Sequence, residues 1–474
     1  MRTILILAVG LASCATAVPA SAPDRPNLVL IFADDLGYGD VGCYGGTLVP
    51  TPAIDALARG GVRCTDGYVT APVCAPSRCG LMSGAYPPRF GIQRNDERRR
   101  YTFGGHALLP QALRAAGYVT GHIGKWNLPA DPRASFDEVH DLIDWEADYF
   151  PDASGHYHGV DNPAEIGSRK VQGVWGPERP GDEYLTDRMG RHAVEFIERH
   201  RGRPFFLYLA FNAVHSPWQA KREAAPRFAS LTPPLNFYAA MIASLDENVG
   251  RVLAKLESAG LERNTLVAFA SDNGPALGSP RIVVWPDHWP KEILVGSAGP
   301  LSGRKAQFLE GGLRVPFLLR WPARLPAGSV YSRPVSTMDL YPTFCAAAGA
   351  AAPPGTVLDG VNLLPFLRGE SGGDPHEILF WKEDEAGAVR QGDWKLLLGP
   401  GEPRPRLFHL SEDIGEQHDL AAREPERLER LYRAWTRWAA TLPPRVGRRE
   451  RGAPPGPPAP GGDAQRPSTY GSQR

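Results

Sequence analysis

Apolar runs and amphipathic stretches alternate along most of this chain. Asn27 to Phe32 is a continuous apolar run, the pattern of a strand buried on both faces. Pro110 to Ala116 reads as a helix, with proline at its start and Gly117 past its end. Tyr118 to Lys125 reads as a strand, Leu185 to His200 as a helix and Pro204 to Phe211 as a strand. In Asn236 to Ala259, residues Tyr238, Met241, Ile242, Leu245, Val249, Val252, Leu253 and Leu256 recur at steps of three and four, which predicts a long amphipathic helix. Strand Thr265 to Ser271 follows. The alternation predicts an α/β fold with a large, mostly parallel sheet sandwiched by helices. After about Leu367 the pattern changes to short strands, Val389 to Leu398 and Arg406 to Leu410, then helix Pro425 to Thr441.

In open parallel sheets, ligands bind at the carboxyl ends of the strands. The polar blocks fall at those ends: Asp34-Asp35, Lys125, His215 and Asp272-Asn273. Adjacent carboxylates repel unless a cation lies between them. Two such pairs make an all-oxygen ligand set suited to Ca²⁺ or Mg²⁺ rather than zinc, although Asp-Asp and Asp-Asn-Gly also serve as plain turns. Cys74-Ala75-Pro76-Ser77-Arg78 opens a short helix-compatible segment that Gly84 can end. Pro76 suits a first helical turn, so Cys74 stands at the positive end of a helix with Arg78 one turn away. A nucleophile there is suited to a tetrahedral oxyanion; the plainer reading is a buried cysteine before a proline-initiated helix.

The Cys74 block, APVCAPSRCGLMSG, resembles the formylglycine-dependent (type I) sulfatase family of the alkaline phosphatase-like superfamily. So do NLVLIFADDLGYGD, TPAIDALARGG, GHIGKWNL, PFFLYLAFNAVHSP, TLVAFASDNGP, GRKAQFLEGGLRVPFLLRWP and VSTMDLYPT, in the family's order from about Asn27 to Ala421. The resemblance implies that Cys74 is oxidised to formylglycine (3-oxoalanine) by a formylglycine-generating enzyme. Its aldehyde hydrate would attack the sulfur of a sulfate ester and form a covalent enzyme–sulfate. It implies Ca²⁺ on Asp34, Asp35, Asp272 and Asn273, with the modified Cys74 as a further ligand. It also implies that Arg78 and Lys125 hold the hydrate, while Lys305 and His215 bind the sulfate and help protonate the leaving alcohol. A catalytic domain over 26–366 and a small C-terminal α+β domain on an antiparallel sheet over 367–442 are expected, with a disordered tail rich in Pro, Gly and Arg from 443 to 474.

One position departs from the family pattern. Where the family reads GKWHL, this chain has Asn127, which can hydrogen-bond but cannot act as the base that releases sulfate. A formylglycine-dependent phosphodiesterase or phosphonate monoester hydrolase, and a catalytically impaired glycan-binding homologue, are the alternative readings. Glu97-Arg98-Arg99-Arg100 reads as a solvated charged loop or, less simply, a patch for a polyanionic glycan. Trp145, Trp285 and Trp289 are candidates for stacking on sugar rings or for core packing.

Composition narrows the partners. Lys plus Arg and Asp plus Glu both number 52, so net charge is zero, which excludes bulk nucleic-acid binding. Arg2 followed by apolar Ile4 to Leu11 is a targeting segment too short to span a bilayer. It ends either at an ordinary signal-cleavage site, Ala20-Ser21-Ala22, giving a leader of 1–22, or at a lipoprotein box, Leu11-Ala12-Ser13-Cys14, giving a leader of 1–13 with a lipid on Cys14. Either route exports the protein: periplasmic, extracellular or anchored to the envelope. The expected partner is a sulfated small molecule or saccharide, with membrane contact only through that lipid. Export would also permit a disulfide among Cys43, Cys64 and Cys79.

Overall fold

The structure is a computed structural model describing residues 25–162, 171–177, 179, 181–278, 286, 288–290, 292–401 and 404–445. The leader, Cys14, Trp285 and the segment after 445 lie outside these residues.

Eight strands form the main sheet: β1 (Asn27–Ala33), β2 (Val62–Cys64), β3 (Val119–Lys125), β4 (Glu138–Ile143), β5 (Phe205–Ala210), β6 (Thr265–Ser271), β7 (Phe317–Arg320) and β8 (Ser329–Tyr331), in the order β8-β2-β7-β6-β1-β5-β3-β4. The run β6-β1-β5-β3-β4 is parallel, and β7 is antiparallel to both its neighbours. Alternate side chains of β1 go to opposite faces. Val29, Ile31 and Ala33 pack with helices Pro52–Arg59, Leu185–His200 and Leu235–Ser258, while Leu28, Leu30 and Phe32 pack with helices Cys74–Ser83, Leu109–Ala115 and Leu340–Ala348. With both faces covered, the central strands bury every residue, which is why they read as unbroken apolar runs. This is the expected sandwich.

A second sheet of four antiparallel strands contains β9 (Leu379–Glu383), β10 (Ala386–Gln391), β11 (Trp394–Leu398) and β12 (Arg406–His409), with helix Pro425–Ala439 against it. The single strand expected over Val389 to Leu398 is two. Gly392 adopts φ 54° and, with Asp393, makes a two-residue hairpin loop. The described cysteines Cys43, Cys64, Cys74, Cys79 and Cys345 are all free, so the disulfide that export would permit is not formed. Among the described residues, no helix is long and apolar enough to cross a membrane.

A buried charge network joins the two sheets. Lys395 of β11 is fully buried and pairs with Glu310 Oε1 at 2.9 Å and Glu416 Oε1 at 2.8 Å. The Glu310 backbone N–H donates to Glu416 Oε2 at 2.7 Å, and Tyr68 donates its hydroxyl to Glu310 Oε2 at 2.7 Å. Arg314 and Arg390 both pair with Asp66, at 3.1 and 3.3 Å. Burial pushes Glu310 up, but Lys395, Arg390 and Arg314 overcome it and hold the carboxyl below its ordinary value. Its contribution to stability is therefore complete above the unfolded value of 4.5 and is lost as pH falls below it. Lys395→Met leaves two carboxylates facing each other in a dry interface and should cost about 3–5 kcal/mol. Urea unfolding at neutral pH measures this, and adding Glu416→Gln should recover part of the loss.

Candidate active site

The site is built at the carboxyl ends of β1, β3, β5 and β6. Asp34 and Asp35 follow β1, Lys125 closes β3, His215 lies five residues beyond β5, and Asp272 and Asn273 follow β6. Cys74 is the first residue of its helix, Cys74–Ser83, and Pro76 falls at the third position. Asn95 Oδ1 accepts from the Ala75 N–H at 2.9 Å and so satisfies one orphan donor of that helix end. Gly84 ends the helix with φ 66°, its N–H donating to the Gly80 carbonyl at 2.8 Å.

Four ligand-type side chains converge: one atom each from Asp34, Asp35, Cys74 and His215 all lie within 4.8 Å of one another. Cys74 Sγ is 3.7 Å from Asp34 Oδ1 and 3.2 Å from Lys305 Nζ. Lys305 donates to Asp35 Oδ1 at 2.6 Å, and Lys125 donates to Asp34 Oδ2. Arg78 is fully buried beneath this group. Its Nε and Nη2 fork onto Asp272 Oδ2 at 3.1 and 2.8 Å, and Nη1 donates to the Lys125 carbonyl at 3.0 Å and to the Tyr208 hydroxyl at 3.2 Å. Asp272 Oδ1 accepts from the Asp35 N–H at 3.2 Å. Asn273 Nδ2 donates to Asp35 Oδ1 at 2.7 Å, while its buried Oδ1 has no hydrogen-bond partner among the described residues.

The electrostatics follow from burial against charge. Burial pushes Asp34 up, but Lys125, His215 and Arg78 more than offset it, and the carboxyl sits below its ordinary value. Asp35 behaves the same way, with Lys305 and His215 as the offsetting charges. Burial pushes both lysines down, yet Asp34 raises Lys125 and Asp35 raises Lys305, so both stay ammonium groups. Carboxylates kept ionised, together with an acceptor oxygen on Asn273 aimed at no donor, are the donor chemistry of a hard divalent cation. His215 Nδ1 lies 2.6 Å from the Ser216 carbonyl, to which it can only donate, and Nε2 faces the cluster 3.7 Å from Asp35 Oδ2.

These groups open onto a cavity of about 460 Å³. Asp35, Cys74, Lys125, His215 and Lys305 line it, as do Asn95, Trp145, Glu146, Trp218, Tyr238 and Arg304. Arg78 and Asn127 are both fully buried and do not line it. Asn127 takes φ 57°, a conformation asparagine tolerates, and its Nδ2 donates to the Asp144 carbonyl at 2.6 Å. The charged loop after the Cys74 helix is not simply solvated. Glu97 is buried and accepts from the Gln93 and Arg94 N–H groups, and Arg98 and Arg99 both pair with Asp144. Arg98 also lies 4.3 Å from the Trp145 ring centroid. Trp289 packs in the core against Trp218 and Phe237. Sequence reasoning missed Asn95, Glu146, Tyr238 and Arg304. Arg304, beside Lys305, and Glu146, beside Trp145, each had a neighbour that pointed to the pocket.

An α/β sandwich with a carboxylate, cysteine and lysine cluster at its strand ends is the architecture of an alkaline phosphatase-like hydrolase. The family model "Sulfatase" matches residues 26–350, and the chain belongs to the sulfatase family. It is 34% identical to the steryl-sulfatase of Mus musculus, with 90% of this chain and 85% of the relative covered. It is 31% identical to the N-acetylgalactosamine-6-sulfatase of Canis lupus familiaris, covering 91% and 88%. Among solved structures, Ps i-CgsB in complex with k-i-k-neocarrahexaose superposes with a TM-score of 0.75 at 32% identity, covering 89% of this chain and 94% of that one. The phosphonate monoester hydrolase of Agrobacterium radiobacter shares the fold, with a TM-score of 0.60 at 22% identity over 88% of this chain and 95% of that one. The protein is a sulfuric ester hydrolase.

The unmodified Cys74 thiol is poorly activated. Burial raises it, Asp272 and Asp34 add to that, and Lys125 and Lys305 do not compensate, so it is pushed up to about 12. Native protein treated with chelator and iodoacetamide should alkylate Cys74 about 10³-fold more slowly than urea-unfolded protein, since only the thiolate reacts. Peptide mass spectrometry measures both rates.

Proposed function

We propose that this protein is an exported enzyme that hydrolyses a sulfate monoester on a carbohydrate, with Cys74 carried as formylglycine and one Ca²⁺ held by Asp34, Asp35, Asp272 and Asn273. The observation that carries the reading is the convergence of Cys74, Lys125, Lys305 and His215 on the two ionised carboxylates at one end of the cavity. The formylglycine hydrate would supply the attacking oxygen and carry the sulfate before its release; the cation would polarise the sulfate oxygens. Lys305 and His215 bind the sulfate, and one of them delivers the proton to the departing alcohol. Lys125 holds the hydrate from the cavity side, and Arg78 fixes Asp272 and the Lys125 carbonyl from below. The carbohydrate part of the reading is supported by relatives named for N-acetylgalactosamine-6-sulfate and by the saccharide bound in the carrageenan-type neighbour. Export, by either leader, and a maturation enzyme for Cys74 belong to the same reading.

Peptide mass spectrometry of active protein should find the aldehyde at residue 74 and not at Cys79, and elemental analysis should find one calcium. Cys74→Ala should abolish turnover, and Lys305→Ala should lower kcat by about 10²–10³-fold on a sulfated saccharide. Full activity with an intact Cys74 thiol, or a phosphate diester cleaved in preference to any sulfate ester, contradicts the reading.

Asn127 bears on the release step. A lost general base typically costs about 10²–10⁴-fold. Pre-steady-state kinetics should therefore show a burst of one equivalent of alcohol and then slow turnover, with Asn127→His speeding the slow phase where the pocket has room for the imidazole. Linear product release, together with lost activity in Asn127→His, would instead make the Asn127 bond to Asp144 the feature that matters.

A further inference from the structure

The cations around the cavity are not equivalent. Arg78, Lys125 and Lys305 are each committed to a carboxylate of the cluster, Asp272, Asp34 and Asp35 respectively. Arg98 and Arg99, which do not line the cavity, pair with Asp144. Arg304 differs. It lines the same cavity, is half-buried, and its guanidinium makes no ion pair or hydrogen bond with any described residue. Its backbone is nevertheless fixed. The Arg304 N–H donates to Gln307 Oε1 at 3.1 Å, and the next two N–H groups donate to the Pro275 and Pro72 carbonyls at 3.0 and 2.8 Å. The segment thus anchors a charged head without consuming it.

We propose that Arg304 forms a second anion subsite, so that the preferred substrate carries, beside the ester being cleaved, another fixed oxyanion on the same or the adjoining sugar: a second sulfate or a uronate carboxylate. The inference rests on the sulfatase reading above. Neighbouring Cα atoms are about 3.8 Å apart. Lys305 reaches Cys74 Sγ at 3.2 Å, and Arg304 lines the same cavity as both residues. A guanidinium is the side chain matched to such a partner, since its planar fork grips two oxygens of a carboxylate or sulfate at once. Among the described residues that line the cavity, Arg304 is the single arginine. Trp145, against which Arg98 packs, lines the cavity as well. The cavity therefore combines the reacting cluster with one guanidinium fork for a second anion.

The test is equilibrium binding by calorimetry to Cys74→Ala protein, with and without Arg304→Gln, so that the result does not depend on turnover. The probes are three saccharides with the same sulfate ester: one with no other charge, one with a second sulfate and one with an adjoining uronate. A hydrogen-bonded charge contact of this kind corresponds to about a 10–100-fold preference for a doubly charged probe. Arg304→Gln should bring that ratio to about one, Arg304→Lys should leave it intermediate, and raising salt should shrink it. Which doubly charged probe binds tighter identifies the anion as sulfate or carboxylate. Equal affinity for all three probes, or a preference that survives Arg304→Gln, overturns the proposal. Absence of turnover on every sulfate ester by wild-type protein carrying the converted residue 74 would instead overturn the hydrolase reading and leave the binding comparison standing.

Discussion

Three carboxylates, Asp34, Asp35 and Asp272, are buried within one small volume, and they can remain ionised only if positive charge is delivered to them from elsewhere in the chain. That constraint organises the rest of the protein. Arg78 comes from the Cys74 helix, Lys125 from the end of β3 and Lys305 from a loop more than 200 residues after Cys74. Each cation satisfies a carboxylate and in doing so fixes its own position. The functional geometry and the charge balance are therefore the same set of contacts.

The constraint propagates outward. Lys305 belongs to a segment that ends in the short helix Glu310–Leu313, and Glu310 is itself a buried charge needing a partner. Its partner, Lys395, comes from the middle of the small sheet, and Glu416 completes the balance from beyond β12. The small sheet thus sits two links from the reacting group. It supports the loop that carries Lys305 and, next to it, Arg304.

The sheet strands were legible because burial on both faces leaves continuous apolar runs: β1 and β6 could be read almost to the residue. Helix Leu235–Ser258 was legible from its amphipathic spacing, read as Asn236 to Ala259. The position of Asp34-Asp35 and Asp272-Asn273 at strand ends was legible from the apolar runs before them, and the family motifs pointed to Lys125, His215 and Lys305. The hairpin inside Val389 to Leu398 carried its signal in Gly392-Asp393, a dipeptide suited to a tight turn, but the apolar residues around it masked the break. What could not be read was pairing across the chain. Nothing local distinguishes Asn95 as the acceptor for a helix 20 residues earlier, or Lys395 from any other lysine in a strand. Glu146 and Arg304 in loops, and Tyr238 in the first turn of helix Leu235–Ser258, face the cavity only because the surrounding elements turn them there.

The seat of Lys305 has a consequence in time. Cys74 and its helix emerge from the ribosome early, whereas the ammonium group that closes over the sulfur is 231 residues later and its support is not complete until Glu416 has been made. For most of synthesis, then, the thiol belongs to an unfinished and open structure, and it becomes enclosed only when the last fifth of the chain arrives. A maturation enzyme of the kind proposed for Cys74 would have its opportunity on the nascent chain. The length of that opportunity is set by the distance along the polypeptide between the cysteine and its furthest supporting charges.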